Sequence, residues 1–126
     1  MSIPLDQARY LNLATRRRNG DEVLTPVWFA VSGDGYVCFT ASDAGKVKRI
    51  RANPRVRIAP CDMRGGLLGP WQDAHASLVN DAAEAAQAYR ALRARYGWQM
   101  WLLDLFSRLS GRYTRRAVIR LHPDAR

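Results

Sequence analysis

The sequence predicts a mainly β protein, a small antiparallel barrel with α-helical additions. Three observations lead to this fold class. Short segments rich in β-branched and aromatic residues recur along the chain, turn signals such as Asn19-Gly20 separate them, and few segments read as helices. The 126 residues fit one compact domain, and the hydrophobic share of 48% suits a globular core.

Six segments read as strands, because they alternate apolar and polar residues or concentrate β-branched and aromatic ones. They comprise residues 8–18, 23–31, 36–40, 56–61, 71–79 and 115–121. Pro26 lies inside the second segment and has no N–H for the sheet ladder. It therefore predicts an edge, a bulge or a cavity wall at that point.

Two longer helices are predicted in the C-terminal half. Residues 81–96 form the clearer one, because Asp81 and Glu84 have the spacing of a capping box and Gly97 stands where a C-cap belongs. Residues 98–109 form the second helix, which is strongly apolar. We expect it to cover the barrel or a dimer contact rather than to lie in a lipid interface.

The charge balance is the unusual feature of the composition. Twenty Lys and Arg against eleven Asp and Glu give a net charge of +9, which favours acidic partners. No apolar run has bilayer length and no secretion signal opens the chain, so we expect a cytoplasmic protein without integral membrane association. Cys38 and Cys61 lack metal or disulfide spacing and read as small core residues in a reducing compartment.

Five of the cations lie in the stretch GKVKRIRANPRV, residues 45–56, which begins as a short helix. Ser42 and Asp43 are candidate N-caps, and a helix start offers free N–H groups and a partial positive charge. Thr40, Ser42 and Gly45 add hydroxyls and close backbone approach, and Lys46 reaches the same anion. A phosphate explains all of these residues, a nucleic acid explains only the cations, and a solvated basic helix is the third interpretation.

Side chains for covalent or metal catalysis are scarce. His75 and His122 are isolated, and we expect surface or satisfied histidines rather than members of a catalytic triad. Asp73 and His75 alternate on one strand, but two residues do not make a metal site. We therefore predict no catalytic side chain and no metal. If the protein is an enzyme, the hard chemistry belongs to a bound cofactor.

Three motifs together resemble a known family. TPVWF at 25–29, YVCFT at 36–40 and GKVKRIRANPRV at 45–56 are similar to segments of the pyridoxamine 5′-phosphate oxidase-like split-barrel superfamily. The closer resemblance is to the actinobacterial branch that uses the deazaflavin coenzyme F420. The similarity is strong over residues 10–78 and weaker through 96–98 and the closing strand.

The resemblance implies a split β-barrel of the FMN-binding type, with about six antiparallel strands plus helices. Residues 1–126 are then one cofactor-binding domain, in which 81–111 forms a helical segment before the last strand. The resemblance further implies a homodimer with coenzyme in a groove at or near the subunit interface. It assigns the ring to Thr25, Pro26, Val27 and Trp28, and the phosphate end to Thr40, Ala41, Ser42, Lys46, Lys48 and Arg49.

Aromatic and apolar residues add a physical argument for a cofactor pocket. Val27, Trp28 and Trp71 offer apolar walls that would exclude water from a hydride-transfer site. Each of them could equally be an ordinary core residue. For Trp28 and Trp71 the sequence favours neither the pocket wall nor the core. For Phe29, Phe39 and Trp101 we prefer the core.

The resemblance therefore makes an F420-dependent oxidoreductase acting on a small conjugated electrophile the leading hypothesis. FMN is the alternative cofactor, since its terminal phosphate would use the same helix start; the excess of cations favours the longer, more acidic deazaflavin. A non-catalytic F420 carrier is a second alternative. A basic nucleic-acid or membrane-surface module is a third, and we rank it lowest, expecting no nucleic-acid partner.

Overall fold

A computed structural model describes residues 4–41, 44–109 and 116–124 of the chain. Within these ranges it has seven strands, three α-helices and a short 3₁₀ turn at Leu5–Gln7. The strands are β1 (Tyr10–Arg16), β2 (Glu22–Val27), β3 (Phe29–Ser32), β4 (Gly35–Ala41), β5 (Arg55–Cys61), β6 (Gln72–Leu78) and β7 (Arg116–Pro123). The helices are α1 (Gly45–Ala52), α2 (Ala82–Tyr96) and α3 (Trp98–Leu109).

The strands form one antiparallel sheet in the order β2-β1-β5-β6-β7-β4-β3. The two end strands of this order are consecutive in the sequence, and Trp28 alone separates them. Because every neighbouring pair is antiparallel, β2 and β3 run in the same direction. β2 and β3 are thus two halves of one bent strand, which pairs with β1 before Trp28 and with β4 after it. The sheet curls so that its two ends meet at this residue. The predicted split β-barrel is confirmed.

The segment predicted as one strand over residues 23–31 is divided at Trp28 into β2 and β3 in the structure. The structure therefore has seven strands where about six were predicted. The division follows from closure, since the first half pairs with β1 and the second half pairs with β4. Pro26 lies in β2, which is an end strand of the sheet order. The prediction of an edge position for this proline is therefore confirmed.

An apolar core fills the barrel interior. Its largest fully buried side chains are Phe29, Leu11, Leu13, Ile58, Ile119 and Leu121. Burial of each such side chain stabilises the fold by roughly 2 kcal/mol before the entropic cost of ordering it. Cys38 and Cys61 are buried free thiols, as predicted. Burial raises the pKa of Cys38 to about 12, so it is an inert thiol at neutral pH.

A second apolar cluster lies between the sheet and the two longer helices. The residues of this cluster include Val37, Ala88, Leu92, Met100 and Val118. Helix α2 has the predicted bounds, because the Asp81 carboxylate accepts a hydrogen bond from the Glu84 N–H at 3.2 Å. At its end Gly97 has φ +57°, a conformation that favours glycine.

Helix α1 begins at Gly45, and its N-cap is Ala44, which makes no side-chain capping hydrogen bond. The two predicted caps, Ser42 and Asp43, do not occupy that position and lie outside the described residues. The first N–H groups of α1 therefore receive no side-chain acceptor from the N-cap residue. The helix packs against β1 and β6, close to one end of the barrel.

Candidate functional site

The barrel is open between β2 and the end of β4. The ladder between β3 and β4 begins at the pair Phe29 and Cys38. Among the described residues, those from Phe39 to Ala41 at the end of β4 therefore pair with β7 and with no other strand. Within the same part of the chain β2 pairs with β1 alone. Two strand edges thus border a common gap, which starts at Trp28 and leads toward α1, the element that follows β4.

The backbone of β2 points alternate groups into this gap. Arg17 N–H donates to Asp21 O at 2.8 Å and sets the alternation of the β1–β2 ladder. By that alternation the backbone of Thr25 points toward β1, whereas Leu24 and Pro26 point theirs away. The missing N–H of Pro26 therefore interrupts no ladder bond. An edge of this kind can bind a planar polar group as it would bind another strand.

Cations collect at the start of α1. Arg49 folds back over Gly45, so that its Nη1 lies 2.8 Å from where a Cβ on that glycine would stand. Its Nε donates to Thr15 Oγ1 at 2.7 Å, which ties the helix to β1. Lys46 is half-buried in the first turn. We refer to Arg17, Lys46 and Arg49 as the cation cluster.

The electrostatics of the cation cluster are unfavourable without an anion. Burial lowers the pKa of Lys46, and the charge of Arg49 lowers it further, although Cys38 acts in the opposite direction. Burial also lowers the pKa of Arg49, and repulsion by Arg17 adds to this effect. Among the described residues no carboxylate pairs with Lys46 or Arg49. An anionic ligand would relieve this repulsion.

Thr25 and Thr40 lie on the inner side of their strands. Thr25 is two residues from Val27 and Thr40 is two residues from Cys38, so each threonine shares a strand face with that neighbour. Val27 and Cys38 both belong to the barrel core. Thr25 and Thr40 therefore face the same side of the sheet, the side of the barrel core. A role of Thr40 beside Lys46 stays a prediction.

Other predicted residues at the phosphate end are not brought to the cation cluster within the described chain. Lys48 is exposed and lies about 200° around the helix axis from Lys46. Ala41 ends β4, but its side chain lies outside the described residues, as does the whole of Ser42. The roles of these three residues stay predictions.

Trp71 makes a cation–π contact with Arg57 on the outer face of the sheet. The Arg57 Cζ lies 4.5 Å from the centroid of the Trp71 ring. Arg57 is adjacent to the buried Ile58 in β5, so its side chain lies on the opposite, outer face. Its Nε donates to Glu22 Oε2 at 2.8 Å. The hydrogen bond from Arg57 lowers the pKa of Glu22. A role for Trp71 in a cofactor pocket stays a prediction.

Tyr96 is a site-forming residue that the sequence reasoning missed. Its ring stacks on Trp28, with centroids 4.6 Å apart and planes 11° apart. Its hydroxyl lies 2.8 Å from Arg9 O and 2.9 Å from both the N and O atoms of Phe29. One phenol therefore joins β3 to the residue before β1, at the point where the sheet closes.

Trp28 also borders an apolar groove. This groove has a volume of about 270 Å³ and is lined further by Trp98, Gln99, Leu102 and Leu103. The groove is at the Trp28 end of the gap, and the cation cluster is at the start of α1. The site thus has an apolar end and a cationic end.

Asn12 is a second residue that the sequence reasoning missed. It is buried in β1 opposite Pro26, and its Nδ2 donates to Gly65 O at 3.1 Å. Its Oδ1 is buried and has no partner among the described residues. A buried acceptor without a donor costs roughly 1–3 kcal/mol. Asn12 lies between the core residues Leu11 and Leu13, so its side chain is on the face of the sheet opposite to Thr25 and Thr40.

The two histidines are not part of this site. Both are exposed, and both ring nitrogens of His75 have partners, namely Arg55 at 3.1 Å and Asp124 at 3.1 Å. The prediction of surface or satisfied histidines is therefore confirmed. None of the helices in the described ranges has the length and apolar character needed to span a bilayer.

Several solved structures share this fold. HutZ, a heme storage protein from Vibrio cholerae, matches with a TM-score of 0.72 and 20% identity over 95% of this chain and 84% of its own. An F420 reductase matches with 0.62 and 22% over 96% and 90%. A FAD-binding protein from Mesorhizobium loti matches with 0.61 and 17% over 96% and 83%. At these identities the likeness shows the fold alone.

The family comparison is more decisive. A search of curated proteins finds no match. The family model described as pyridoxamine 5′-phosphate oxidase matches residues 4–126, which is nearly the whole chain, and the split barrel agrees with it. The chain belongs to the pyridoxamine 5′-phosphate oxidase family.

Proposed function

We propose that this protein is an F420-dependent oxidoreductase that transfers a hydride between the deazaflavin coenzyme and a small conjugated electrophile. The observation that carries the proposal is the cation cluster beside the gap between β2 and β4. Lys46 and Arg49 are partly buried there, and neither pairs with a described carboxylate. A phosphate would neutralise them, and the uncapped start of α1 would add N–H donors.

The residues of the gap fit the rest of such a coenzyme. The free backbone groups of Leu24 and Pro26 match the polar edge of a planar heterocycle. When bound, the coenzyme supplies the hydride chemistry. The chain binds and orients it through the β2 edge, anchors its phosphate through Lys46 and Arg49, and excludes water with apolar walls. No side chain is required as a covalent catalyst.

The number of cations favours F420 over FMN. One phosphate would satisfy the cation cluster, whereas Lys48 and Arg51 are exposed on the same helix without a described ion-pair partner. The acidic polyglutamate tail of F420 gives these additional cations a partner. The likeness to an F420 reductase supports this choice, and the likeness to a FAD-binding protein keeps flavin as the second candidate. We also propose membership of the actinobacterial F420 branch, a homodimer and a cytoplasmic location.

A ligand titration tests the cofactor assignment. Purified protein is titrated with F420, FMN, FAD and heme, and binding is followed by tryptophan fluorescence and, for heme, by absorbance. We expect F420 to bind at micromolar concentration and FMN to bind about tenfold more weakly or worse. Tight FMN binding without F420 binding would transfer the function to a flavin enzyme. Binding of heme alone would contradict the proposal.

Two variants on α1 and a control on α2 test the site. Lys46→Met removes the ammonium group but keeps an apolar stem, and we expect a loss of F420 affinity of about tenfold or more. Arg90→Met, at an exposed position of α2, is the control and should change the affinity by less than about threefold. Lys48→Met decides whether this exposed lysine belongs to the site. An unchanged affinity of the Lys46→Met variant would remove the phosphate assignment.

Turnover separates an enzyme from a carrier. Reduced F420 is mixed with the protein and a panel of quinones, tetrapyrroles and nitroaromatics, and the reappearance of oxidised coenzyme is measured. Turnover above the protein-free rate is expected for at least one conjugated acceptor. Tight binding with no turnover on the whole panel would favour a non-catalytic F420 carrier.

A further inference from the structure

Helix α3 has an apolar face that packs on the protein and a second apolar face that does not. Met100 is fully buried, and Leu103 packs against the cluster under the helices. The opposite side exposes a set of large apolar side chains that occupy about 100° of the helix circumference. We refer to them as the α3 stripe; they are Trp98, Trp101, Leu102, Leu105 and Leu109.

The α3 stripe is exposed to an unusual degree. Trp98, Trp101 and Leu109 are exposed by 71%, 65% and 76%, so the prediction of Trp101 as a core residue is wrong. A contiguous row of five such side chains differs from the isolated apolar residues that every protein surface carries. It therefore indicates a surface that binds something apolar.

The charge around the α3 stripe is positive. Residues 81–123 contain eight arginines and three acidic residues, Asp81, Glu84 and Asp104, so they carry +5 of the net charge of +9. Asp104 is buried and contacts Arg116 at 2.6 Å and Arg93 at 3.2 Å, so two arginines outweigh its negative charge. Two described cations border the stripe. Arg93 lines a cavity with Trp101, Leu105 and Asp104, and Arg9 donates to Gln99 at 2.9 Å.

A second copy of the chain is a poor occupant for this surface. A stable protein interface uses about 20–30 residues on each side, whereas the α3 stripe offers five side chains on a helix about 18 Å long. A second copy would also bring the same positive segment to the contact. An anionic bilayer, by contrast, accepts Trp and Leu at the acyl boundary and holds arginines at the headgroup level.

We propose that the α3 stripe docks this protein on the surface of anionic membranes. The helix lies parallel to the bilayer, with Trp98, Trp101 and the three leucines below the headgroups and the neighbouring arginines among the lipid phosphates. This attachment is peripheral and requires no spanning segment. It does not use the cation cluster, but Trp98 and Leu102 of the stripe also line the groove at Trp28, so the test variants are made at Trp101 and Leu105.

Vesicle sedimentation tests the docking surface. The full chain is mixed with vesicles of phosphatidylcholine alone or of equimolar phosphatidylcholine and phosphatidylglycerol in 0.15 M salt, and the bound fraction is measured. We expect the anionic vesicles to bind at least about tenfold more tightly, and the binding to weaken in 0.5 M salt. Equal binding to both kinds of vesicle, or no binding to either, would overturn the proposal.

A matched pair of double variants locates the surface. Trp101→Ser/Leu105→Ser removes side chains that are exposed by 65% and 41%, and should weaken binding to anionic vesicles about tenfold or more. Met63→Ser/Leu67→Ser removes side chains exposed by 69% and 50% in the loop after β5, and should change it less than about twofold. Circular dichroism verifies that both variants are folded.

Two further measurements keep the result decisive. Quenching of tryptophan fluorescence by brominated phosphatidylcholine, mixed into the anionic vesicles, should be strong for the wild type and weak for the Trp101→Ser/Leu105→Ser variant. Light scattering gives the oligomeric state of both proteins. If the variant sediments with vesicles like the wild type, or if it only converts a dimer to a monomer, the α3 stripe is not a lipid-docking surface.

Discussion

The hydroxyl oxygen of Tyr96 lies 2.9 Å from the backbone nitrogen of Phe29 and accepts a hydrogen bond from it. The same hydroxyl donates its proton to the carbonyl of Phe29 at 2.9 Å or of Arg9 at 2.8 Å. A side chain from α2 thus takes the place of a neighbouring strand at the first residue of β3. Where β2 passes into β3, the barrel is therefore held together by the Tyr96 hydroxyl as well as by strand pairing.

Removing this hydroxyl should weaken the barrel. Tyr96→Phe leaves the buried Phe29 N–H without its acceptor, and we expect the free energy of unfolding to fall by about 1–3 kcal/mol. Burial raises the pKa of Tyr96, so its stabilising contribution persists up to pH 10 and declines as the pH rises through the folded-state pKa. Urea denaturation measures the change. Tyr10→Phe, at a half-buried tyrosine of β1, should cost less than about 0.5 kcal/mol.

A methyl group on Gly45 should separate binding from stability. The added Cβ would stand 2.8 Å from Arg49 Nη1, so the guanidinium group must move away from the helix start. Alanine is the better helix former, by up to about 1 kcal/mol. We therefore expect Gly45→Ala to keep or raise the melting temperature while it weakens binding of the phosphate-bearing ligand. A variant that melts earlier but binds normally would contradict this account of the cation cluster.

The Glu22–Arg57 ion pair should make stability depend on acid pH. The pKa of Glu22 lies below its ordinary value of 4.5 in the folded chain, so the unfolded chain binds this proton more readily. Its contribution, ~1 kcal/mol, is present above pH 4.5 and is lost as the pH falls through the folded-state pKa. The stability difference between wild type and Glu22→Gln should therefore be largest near pH 7 and shrink below pH 4. In an Arg57→Met background, which removes the partner of Glu22, the Glu22→Gln change should show no such dependence.

Asp104 should be important for the seating of α3. Its carboxylate is 7% exposed and contacts both Arg93 and Arg116, which links α3 to α2 and β7. Removing one partner of a buried ion pair costs about 3–5 kcal/mol, so Asp104→Ala should lower the unfolding free energy by roughly 3 kcal/mol. Asp124→Ala, which breaks a more exposed ion pair with Arg55, should cost about 1 kcal/mol or less. Similar losses for the two variants would show that the buried pair contributes no more than the exposed one.

Local signals in the sequence predicted most of the elements because their causes are local. The cap at Asp81 and the C-cap at Gly97 set the bounds of α2, and alternation of apolar residues identified the strands. Pro26 indicated an edge, since a missing N–H is tolerated where no ladder bond is needed. Motif resemblance added the family, which neither composition nor periodicity specifies.

Tertiary contacts decided what local signals do not encode. The strand predicted over 23–31 changes partners at Trp28 because barrel closure requires it, and the stack with Tyr96 depends on a helix far along the chain. The approach of Arg49 to Thr15 likewise joins residues of different elements.

The sequence by itself determined the strands, the helix caps, the excess of positive charge and the family motifs, since each of these depends on neighbouring residues. It did not determine which apolar face of α3 is buried, because helical periodicity is the same for a face against the core and a face against solvent or lipid. Only the tertiary structure showed that Met100 packs inward while Trp98 and Trp101 remain exposed. It also brought Arg49 to Thr15 of β1 and partly buried Lys46 on the same helix, where no described carboxylate pairs with either cation.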